Sequence, residues 1–510
     1  MPSTDALLVL DAADDVAVAR RVLVPGEVIA VGDTRLTVRD EVTIGHKIAL
    51  HDIATAAPVT KYGYQIGLAR QPIKAGQHVH LHNLAFSSHT TSVAADFGGR
   101  GWSAPQLPER TTFLGAVRSD GSTATRNYIA VLSTVNCSAN VCEIVANEVT
   151  RRGLLADHPN VDGVIPLVHT LGCGMSSEGL EVLQRTLAGF AAHPNVGGVV
   201  VIGLGCEVNQ VNQMVDQIRL RPGTPLVRMD IQTSGGTRGA VAVAVEAIAK
   251  MLPEVDASFV RTERPVSELV LGLNCGGSDG LSGLTANPAL GFASDLIVAQ
   301  GGRSVLAETP EVYGAESLLV QRAVSEQTAQ RLLDKLAWWQ EYTAKLNVTM
   351  DANPSPGNKA GGITTILEKS LGAVAKSGQA PLAAVYDYAA PIDQPGLGMM
   401  DTPGYDPVSV TGLIAGGANL VCFTTGRGSA LGTRPAPTLK LATNDDLYAR
   451  MPDDVDINCG PVFSADVSVA DKGLEVYHAL LDLASGQPSR SEALGYGSNE
   501  FVPWQIGVVM

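Results

Sequence analysis

The chain has 510 residues, which is too many for a single hydrophobic core, so we expect two or three domains. Its 45% hydrophobic and 17% charged residues are typical of a well-buried globular protein and argue against disorder over most of its length. The net charge of −15 argues against a nucleic-acid-binding surface, because phosphate recognition needs clustered Lys and Arg.

The sequence gives no sign of a membrane or secretory protein. No apolar run approaches the roughly 18 residues of a membrane span, and residues 1–12 lack the basic start and apolar core of a signal peptide. We therefore expect no membrane contact and a cytoplasmic location. Seven cysteines, an odd number, do not suggest a disulfide framework, which leaves metal binding, catalysis or core filling as their role.

Residues 1–86 contain short β-branched runs separated by Gly, Pro and Asp turns, a pattern that predicts a small all-β module. The final run, HVHLHN, places His78, His80 and His82 on one strand face, and His46 lies earlier in IGHKIALHD. These histidines could bind a metal, act as a general acid or base near neutral pH, or form a solvated polar face.

Residues 87–110 are rich in Ser, Thr, Gly and Pro without an apolar period, which predicts a linker. Beyond it, apolar runs alternate with helical stretches, the pattern of parallel sheets covered by helices. We assign a middle α/β domain to residues 111–255 and a larger C-terminal α/β domain to residues 256–510, both with mainly parallel, Rossmann-like sheets. The predicted fold is thus multidomain, with a β module followed by two α/β domains.

Cys459, in DINCG, ends a predicted strand and is a reserve candidate for a site residue. Four other cysteines also lie where a predicted strand ends and form the main prediction. They are Cys137 in STVNC, Cys173 in HTLGC, Cys206 in GLGCE and Cys275 in GLNCGG. The carboxyl edge of a parallel sheet is where ligands bind, and thiolates gathered there could hold a soft or borderline metal. The alternative is that each cysteine is a small residue in a tight turn beside glycine. A structural zinc site has little support, because the chain has no CxxC pair and no zinc-finger spacing.

Glycine-rich loops also follow predicted strands. Asp279 lies in GGSDG, Asn358 and Lys359 lie in NPSPGNKAGG, and Arg427 lies in FTTGRGSALG. Such loops can present amide donors and a cation to an anionic substrate, and the planar fork of Arg427 suits a carboxylate. They are also common as plain turns. None matches a Walker P-loop or a dinucleotide fingerprint, so we predict carboxylate rather than phosphate binding.

With these residues in view, the chain resembles the altronate/galactarate dehydratase family of sugar-acid hydro-lyases over nearly its whole length. The matching segments are GHKIALHDIA, KYGYQIGLA, AGQHVHLHNL, TRNYIAVLSTVNC, HTLGCGM, HPNVGGVVVIGLGCE, CGGSDGLSGLTANPALG, ETPEVYGAE, NPSPGNKAGGITTILEKSLG and FTTGRGSALG. The resemblance implies an N-terminal β-clip domain of the SAF type, a middle domain and a C-terminal α/β domain. It also implies an iron-dependent enzyme, with either Fe²⁺ or an iron–sulfur cluster.

The resemblance further implies a reaction and a set of site residues. We expect dehydration of an altronate-type aldonate to a 2-keto-3-deoxy sugar acid, with galactarate, an aldarate, as the alternative substrate. The expected metal ligands are Cys137, Cys173, Cys206 and Cys275. The expected catalytic residues are His46, His80, His169 and Lys359. The expected substrate ligands are Asp279, Asn358, Lys359 and Arg427.

Two functions of other classes are alternatives to this one. A non-catalytic sugar-acid sensor is the first, and iron that is stoichiometric and needed for turnover would disfavour it. A nicotinamide-dependent oxidoreductase is the second, and it fails because the chain lacks GxGxxG with a downstream acidic residue. We expect a small-molecule sugar acid as the ligand and a homodimer as the assembly.

Overall fold

The computed structural model describes residues 5–32, 34–88 and 101–508, and in this part of the chain it confirms the expected multidomain fold. The N-terminal domain consists of short strands separated by turns. Its strands are β1 (Leu7–Leu8), β2 (Val16–Ala19), β3 (Val28–Val31), β4 (Thr34–Thr37), β5 (Lys47–Ala49), β6 (Pro58–Lys61), β7 (Tyr64–Ala69), β8 (His78–Val79) and β9 (Leu84–Ala85). They form antiparallel sheets in the orders β1-β2-β5-β8, β3-β4 and β6-β7-β9.

The pairing of β5 with β8 determines where the histidines lie. Lys47 is opposite Val79 in this antiparallel pair, so by the same register His46 lies opposite His80. The strand that carries the histidines is shorter than predicted. It ends at Val79, because the amide of His80 donates a hydrogen bond to the side chain of Asn83 at 2.9 Å instead of continuing the ladder.

The middle domain follows the predicted linker, of which residues 89–100 lie outside the described part and residues 101–110 contain no helix or strand. Its elements are β10 (Thr112–Val117), β11 (Thr123–Ala124), β12 (Tyr128–Ser133), α1 (Asn136–Arg151), β13 (Gly163–Leu167), α2 (Ser177–Ala191), β14 (Val196–Gly203), α3 (Val211–Gln217), β15 (Leu226–Asp230), α4 (Thr237–Ala257) and β16 (Arg261–Pro265).

A parallel sheet in the order β13-β12-β14-β15 forms the centre of the middle domain. Every residue of β14 is buried, because α1 and α4 pack on one face of the sheet and α2 and α3 on the other. A strand buried on both faces has a continuous apolar sequence, as VGGVVVIG does. The strands β11, β10 and β16 form a separate antiparallel sheet that the sequence did not predict, since RTERP in β16 is polar.

The C-terminal domain contains a larger sheet, with the strand order β19-β20-β18-β17-β21-β22-β23 and parallel pairing throughout. Its elements are β17 (Val270–Cys275), α5 (Ala286–Ala299), β18 (Arg303–Leu306), α6 (Ser317–Val320), α7 (Glu326–Lys345), α8 (Pro356–Ala360), α9 (Ile366–Val374), β19 (Leu382–Tyr386), β20 (Gly396–Met400), α10 (Asp406–Ala415), β21 (Leu420–Thr425), β22 (Thr438–Ala442), α11 (Asp445–Arg450), β23 (Ile457–Asn458), α12 (Pro461–Ser464), α13 (Val469–Ala484) and α14 (Arg490–Ala493).

The N-terminal domain packs directly on the C-terminal domain. Ile66 belongs to the same buried apolar cluster as Ile366 and Leu367 of α9, and its carbonyl accepts a hydrogen bond from the hydroxyl of Thr365 at 2.6 Å. This contact brings the histidine-bearing end of β5 against the loops of the parallel sheet. Within the described ranges, no helix combines the length and apolar character that crossing a membrane requires.

Candidate active site

Three histidines of the N-terminal domain form a compact cluster. The Nδ1 atom of His46 lies 3.1 Å from Nε2 of His78, and the ring centroids of His46 and His80 are 5.2 Å apart. One possible ligand atom from each of these histidines lies within 4.8 Å of the other two. The Nδ1 atom of His80 is buried, and no described residue offers it a hydrogen bond. Nitrogen lone pairs gathered in this way fit a divalent transition metal with open coordination positions.

The environment of the cluster keeps the imidazole rings neutral. Burial, together with the neighbouring His46 and His80, lowers the pKa of His78 to about 3. Burial and the nearby Lys47 ammonium lower the pKa of His80 to about 4 and also lower the pKa of His46. Neutral imidazole is the form that binds a metal, so the lone pairs are available at neutral pH.

His46 lines a cleft of about 570 Å³ between the N-terminal and C-terminal domains. This volume lies in the range of small-molecule sites. Arg427, in the loop after β21, and Arg450, at the end of α11, line the same cleft, and both are exposed. Two guanidinium groups beside one cleft can hold a carboxylate through charge-assisted hydrogen bonds.

Asp279 joins the loops that form this cleft. Its carboxylate is buried and accepts hydrogen bonds from the side chains of Thr443 and Asn444, each at 3.0 Å. A Cβ on Gly426 would lie 2.2 Å from Cγ of Asp279, so the loop that carries Arg427 can approach only because this residue is glycine. Burial raises the pKa of Asp279, and these hydrogen bonds oppose the rise. Asp279, predicted to bind substrate, lines the cleft and also supports its walls, since Asn444 donates both to Asp279 and, at 3.1 Å, to the carbonyl of Gly426 beside Arg427.

Asn358 and Lys359 lie in α8, beside the same cleft. The side-chain amide of Asn358 donates to the carbonyl of Ser278 at 2.8 Å and so connects two of the loops. Lys359 is half-buried, and the two residues that follow it, rather than Lys359 itself, line the cleft. The clamp of Lys359 with Arg427 therefore stays a prediction, and Arg450 is a further cation that lines the cleft with Arg427.

The four strand-end cysteines do not share one sheet edge. Cys137, Cys173 and Cys206 follow the neighbouring strands β12, β13 and β14 of the middle domain and are exposed. Cys275 ends β17 in the other parallel sheet and is buried. The prediction that all four bind one metal is therefore wrong for Cys275, because a strand end has the same sequence signature whichever sheet it belongs to.

Cys275 instead belongs to a buried network of charges. The Nζ atom of Lys376 lies 2.7 Å from Sγ of Cys275 and 2.9 Å from Glu308, and Lys369 forms an ion pair with Glu311 at 2.7 Å. Burial and the nearby Glu308 carboxylate raise the pKa of Cys275. Ligand atoms of Cys275, Glu308 and Glu311 lie within 4.8 Å of one another. The Lys376 ammonium contacts both the thiol and the Glu308 carboxylate, however, so this group does not fit a metal ion.

The structure also contradicts the predicted catalytic role of His169. It lies in the middle domain, where Nε2 is 2.9 Å from the carbonyl oxygen of Ser133 and Nδ1 accepts a hydrogen bond from the amide of Leu171 at 3.2 Å. Burial lowers its pKa to about 4. Because the backbone occupies both ring nitrogens, His169 has a structural role rather than the predicted catalytic one.

The structure adds residues that the sequence analysis did not assign to the site. His78 was noted on the histidine strand, but its place in the cluster depends on the position of His46, which only the pairing of β5 with β8 reveals. Arg450 lies in no recognisable motif. Lys47 and Lys61 both contact Glu368, an interaction across more than 300 residues of sequence that no local pattern marks.

A histidine cluster that could hold a metal and two guanidinium groups at one cleft, beside the carboxyl edge of a parallel sheet, are features of an enzyme that acts on a small anionic molecule. Family models match along most of the chain. They describe the altronate/galactarate dehydratase SAF domain over residues 5–87, the D-galactarate dehydratase/altronate hydrolase second domain over 115–256, and the D-galactarate/altronate dehydratase C-terminal domain over 266–509. The chain belongs to the altronate/galactarate dehydratase family.

Characterised relatives of this family are similar over most of their length. An altronate dehydratase of Bacillus subtilis strain 168 is 37% identical over 474 residues, which are 93% of this chain and 94% of the relative. A galactarate dehydratase (L-threo-forming) of Escherichia coli K12 is 35% identical over 87% of this chain and 86% of its own. The β subunit of a (2R)-sulfolactate sulfo-lyase of Chromohalobacter salexigens is 32% identical over 77% of this chain and 96% of its own.

Proposed function

We propose that this chain is an iron-dependent hydro-lyase that converts an altronate-type aldonate to the 2-keto-3-deoxy sugar acid. The observation that supports this most directly is that His46, Arg427 and Arg450 line the same cleft. A metal and a carboxylate-binding group each assist the dehydration of a hydroxy acid, the metal by weakening the bond to the departing hydroxyl group and the other by positioning the substrate. Two relatives are named for altronate and galactarate, which points to sugar acids as the substrate class.

In this proposal Arg427 and Arg450 bind the substrate carboxylate and so fix the positions of C2 and C3. Asp446 lines the same cleft, with an exposed carboxylate. It can accept the proton from C2 while the hydroxyl group leaves C3. The enol that results takes a proton at C3 and becomes the 2-keto-3-deoxy acid.

The histidine cluster fits iron on two observations, the spacing of its nitrogen atoms and the unpartnered Nδ1 of His80. His46, His78 and His80 would hold it, and His46 would bring it to the cleft wall. Bound there, iron would supply Lewis acidity that weakens the bond between C3 and its hydroxyl group. Of the four cysteines that were predicted to bind the metal, Cys275 does not fit, because its sulfur contacts Lys376.

The proposal is tested by supplying iron to metal-free wild-type protein and to His80→Ala, with altronate and galactarate as separate substrates. We expect iron-dependent formation of a 2-keto-3-deoxy acid from altronate, and much less bound iron and product in His80→Ala. Product from galactarate alone would favour the aldarate alternative. Tight binding of either acid without product would favour the sensor.

We also propose that the working form is a cytoplasmic homodimer. The relatives named as altronate and galactarate dehydratases are compatible with that location. Light scattering during size-exclusion chromatography tests the assembly, and a mass equal to one chain would contradict it.

A further inference from the structure

We propose that the outer edge of β15 (Leu226–Asp230) pairs with the same strand of a second copy of this chain. The inference rests on the homodimer proposed above and adds the surface through which the two copies meet. β15 is the last strand in the order β13-β12-β14-β15, and in the described part of the chain no strand or bridge pairs with its outer side. The backbone N–H and C=O groups of an edge strand are a template for pairing with another chain.

The other edges of the two parallel sheets each have a feature that opposes further pairing. β13 contains Pro166, and β23 has only two residues. Residues 322–324 lie along β19, where the amide of Val324 donates to the carbonyl of Leu382 at 3.0 Å. Prolines, short strands and covering segments are means by which proteins prevent association through sheet edges. β15 has five residues and no proline, so it is the edge most open to another strand.

The hydrogen bonds between β15 and β14 determine which backbone groups point outward. The carbonyl of Pro225 accepts a hydrogen bond from β14 at 2.9 Å, and the amide of Ile231 donates one to β14 at 3.0 Å. Because successive residues of a strand alternate in direction, every second residue between these two also faces β14. The amide and carbonyl groups of Leu226 and Arg228 therefore point away from the sheet.

Two antiparallel copies of β15 related by a two-fold axis have few possible registers. Residues directly opposite each other must both point outward or both point inward. An axis at Arg228 would place like charges opposite each other, which is destabilising. An axis one residue further along would need the carbonyl of Asp230, which already accepts the amide of Ser234 at 3.2 Å and its hydroxyl at 2.5 Å.

An axis at Val227 uses all the outward-pointing groups. The amide and carbonyl of Leu226 on each copy would bond to the carbonyl and amide of Arg228 on the other. An axis at Leu226 would instead place Arg228 opposite Thr224, whose amide already donates to the carbonyl of Arg221 at 3.1 Å. A charge on an edge strand can keep other strands away, but with the axis at Val227 the charge of Arg228 lies opposite an apolar residue.

An apolar groove beside β15 supplies a driving force for this contact. The groove lies between β15 and α4, has a volume of about 480 Å³, and is lined by Val227, Val243 and Met251 among other side chains. Val243 is 48% exposed in the single chain. Since Val227 lines the groove, an axis at Val227 brings the grooves of the two copies together. Removal of this apolar surface from water favours association.

The test uses full-length protein and needs no substrate. Val227→Cys and Met229→Cys are oxidised with diamide beside the wild type, whose own exposed cysteines give the background, and linked peptides are identified by mass spectrometry. With the axis at Val227, the Cα atoms of the two residues 227 would be about 4.5 Å apart, which suits a disulfide. Met229 is the matched control, because its two copies would be about 14 Å apart on the same strands.

A second variant removes an outward-pointing donor from β15. Arg228→Pro deletes the amide that would bond the second copy, while the residues that face β14 keep theirs. Light scattering during size-exclusion chromatography gives its mass beside that of the wild type. Circular dichroism confirms that the variant is folded.

We expect a covalent dimer linked through position 227 in Val227→Cys, no link through position 229 in Met229→Cys, and a mass of two chains for the wild type but of one chain for folded Arg228→Pro. A dimeric wild type without the link through position 227 in Val227→Cys, or a folded Arg228→Pro that stays dimeric, would overturn this surface and leave the homodimer standing. A link through position 229 alone would overturn the register. A wild type with the mass of one chain would overturn both the surface and the homodimer, whereas dehydration of a sugar acid is measured separately.

Discussion

Lys47 of the N-terminal domain and Glu368 of the C-terminal domain form an ion pair at 2.8 Å in which both side chains are excluded from solvent. Lys61 binds the same carboxylate at 2.8 Å, and Lys47 also donates to the carbonyl of Gly362 at 2.7 Å. Since Lys47 follows His46 directly, this pair fixes the histidine cluster against the glycine-rich loop after α8. The contact that joins the two domains therefore also positions His46 at the cleft.

Glu368→Gln should be strongly destabilising, because it leaves two buried ammonium groups without a counter-charge. Breaking a buried pair in this way costs about 3–5 kcal/mol. The measurement is the denaturant midpoint, with Glu246→Gln as the control, since Glu246 pairs with Lys250 on the solvent-exposed face of α4. The control should unfold like the wild type. Equal midpoints for the two variants would show that the buried pair does not secure the domains.

The difference in the free energy of unfolding between the wild type and Glu368→Gln should become smaller as the pH falls below 4.5. Burial alone would raise the pKa of Glu368, but Lys47 and Lys61 outweigh it and hold the pKa far below its usual value of 4.5. A lowered folded-state pKa gives stability that is complete above pH 4.5 and declines as the pH falls below it. Denaturation at pH 7 and at pH 3.5 measures this. A larger stability difference at pH 3.5 than at pH 7 would contradict the conclusion that the pKa of Glu368 is lowered in the folded protein.

Arg427→Ala and Arg450→Ala should each raise the KM for a sugar acid with little loss of stability. Both side chains are exposed, so truncation should cost under about 0.5 kcal/mol of folding free energy. Lys359→Ala is the matched control, because Lys359 does not line the cleft. Steady-state kinetics at fixed iron separates these cases. A larger rise in KM for Lys359→Ala than for Arg450→Ala would support the prediction from the sequence that Lys359 and Arg427 bind the substrate together.

His80→Ala and His169→Ala should fail in different ways. His80 has an unpartnered nitrogen in the histidine cluster that we propose holds iron, so its loss should lower bound iron and activity while the fold remains. His169 bonds two backbone groups in the middle domain, so its loss should lower the unfolding midpoint. Metal analysis and thermal unfolding of both variants make the comparison. Loss of bound iron from His169→Ala, with an unchanged unfolding midpoint, would contradict the structural role assigned to His169.

Local patterns in the sequence were enough to predict most of the fold. Continuous apolar runs such as VGGVVVIG predicted the parallel strands, because burial on both faces removes polar alternation. The strand β16 was missed because RTERP is stabilised by pairing with β10, about 150 residues earlier, rather than by an apolar face. Local sequence therefore predicts where a strand lies better than it predicts the strand with which it pairs.

The site was harder to predict for the same reason. Arg427 was identified because a cation in a glycine-rich loop is a visible motif, whereas Arg450 is an ordinary residue at a helix end. Cys275 was grouped with Cys137 because both end strands, yet the two lie in different sheets. The function of each residue depends on which sheet edge it joins, and that is a property of the tertiary structure.

Dehydration of altronate in heavy water, followed by proton NMR, tests the central claim most directly. Removal of the C2 proton and the C3 hydroxyl group gives an enol that must take its new C3 hydrogen from solvent. We predict a 2-keto-3-deoxy acid carrying one deuterium at C3, formed only with iron present and without added nicotinamide, and strongly reduced in Arg427→Ala. No such product from altronate or from any other aldonate or aldarate, despite bound iron, would contradict the account.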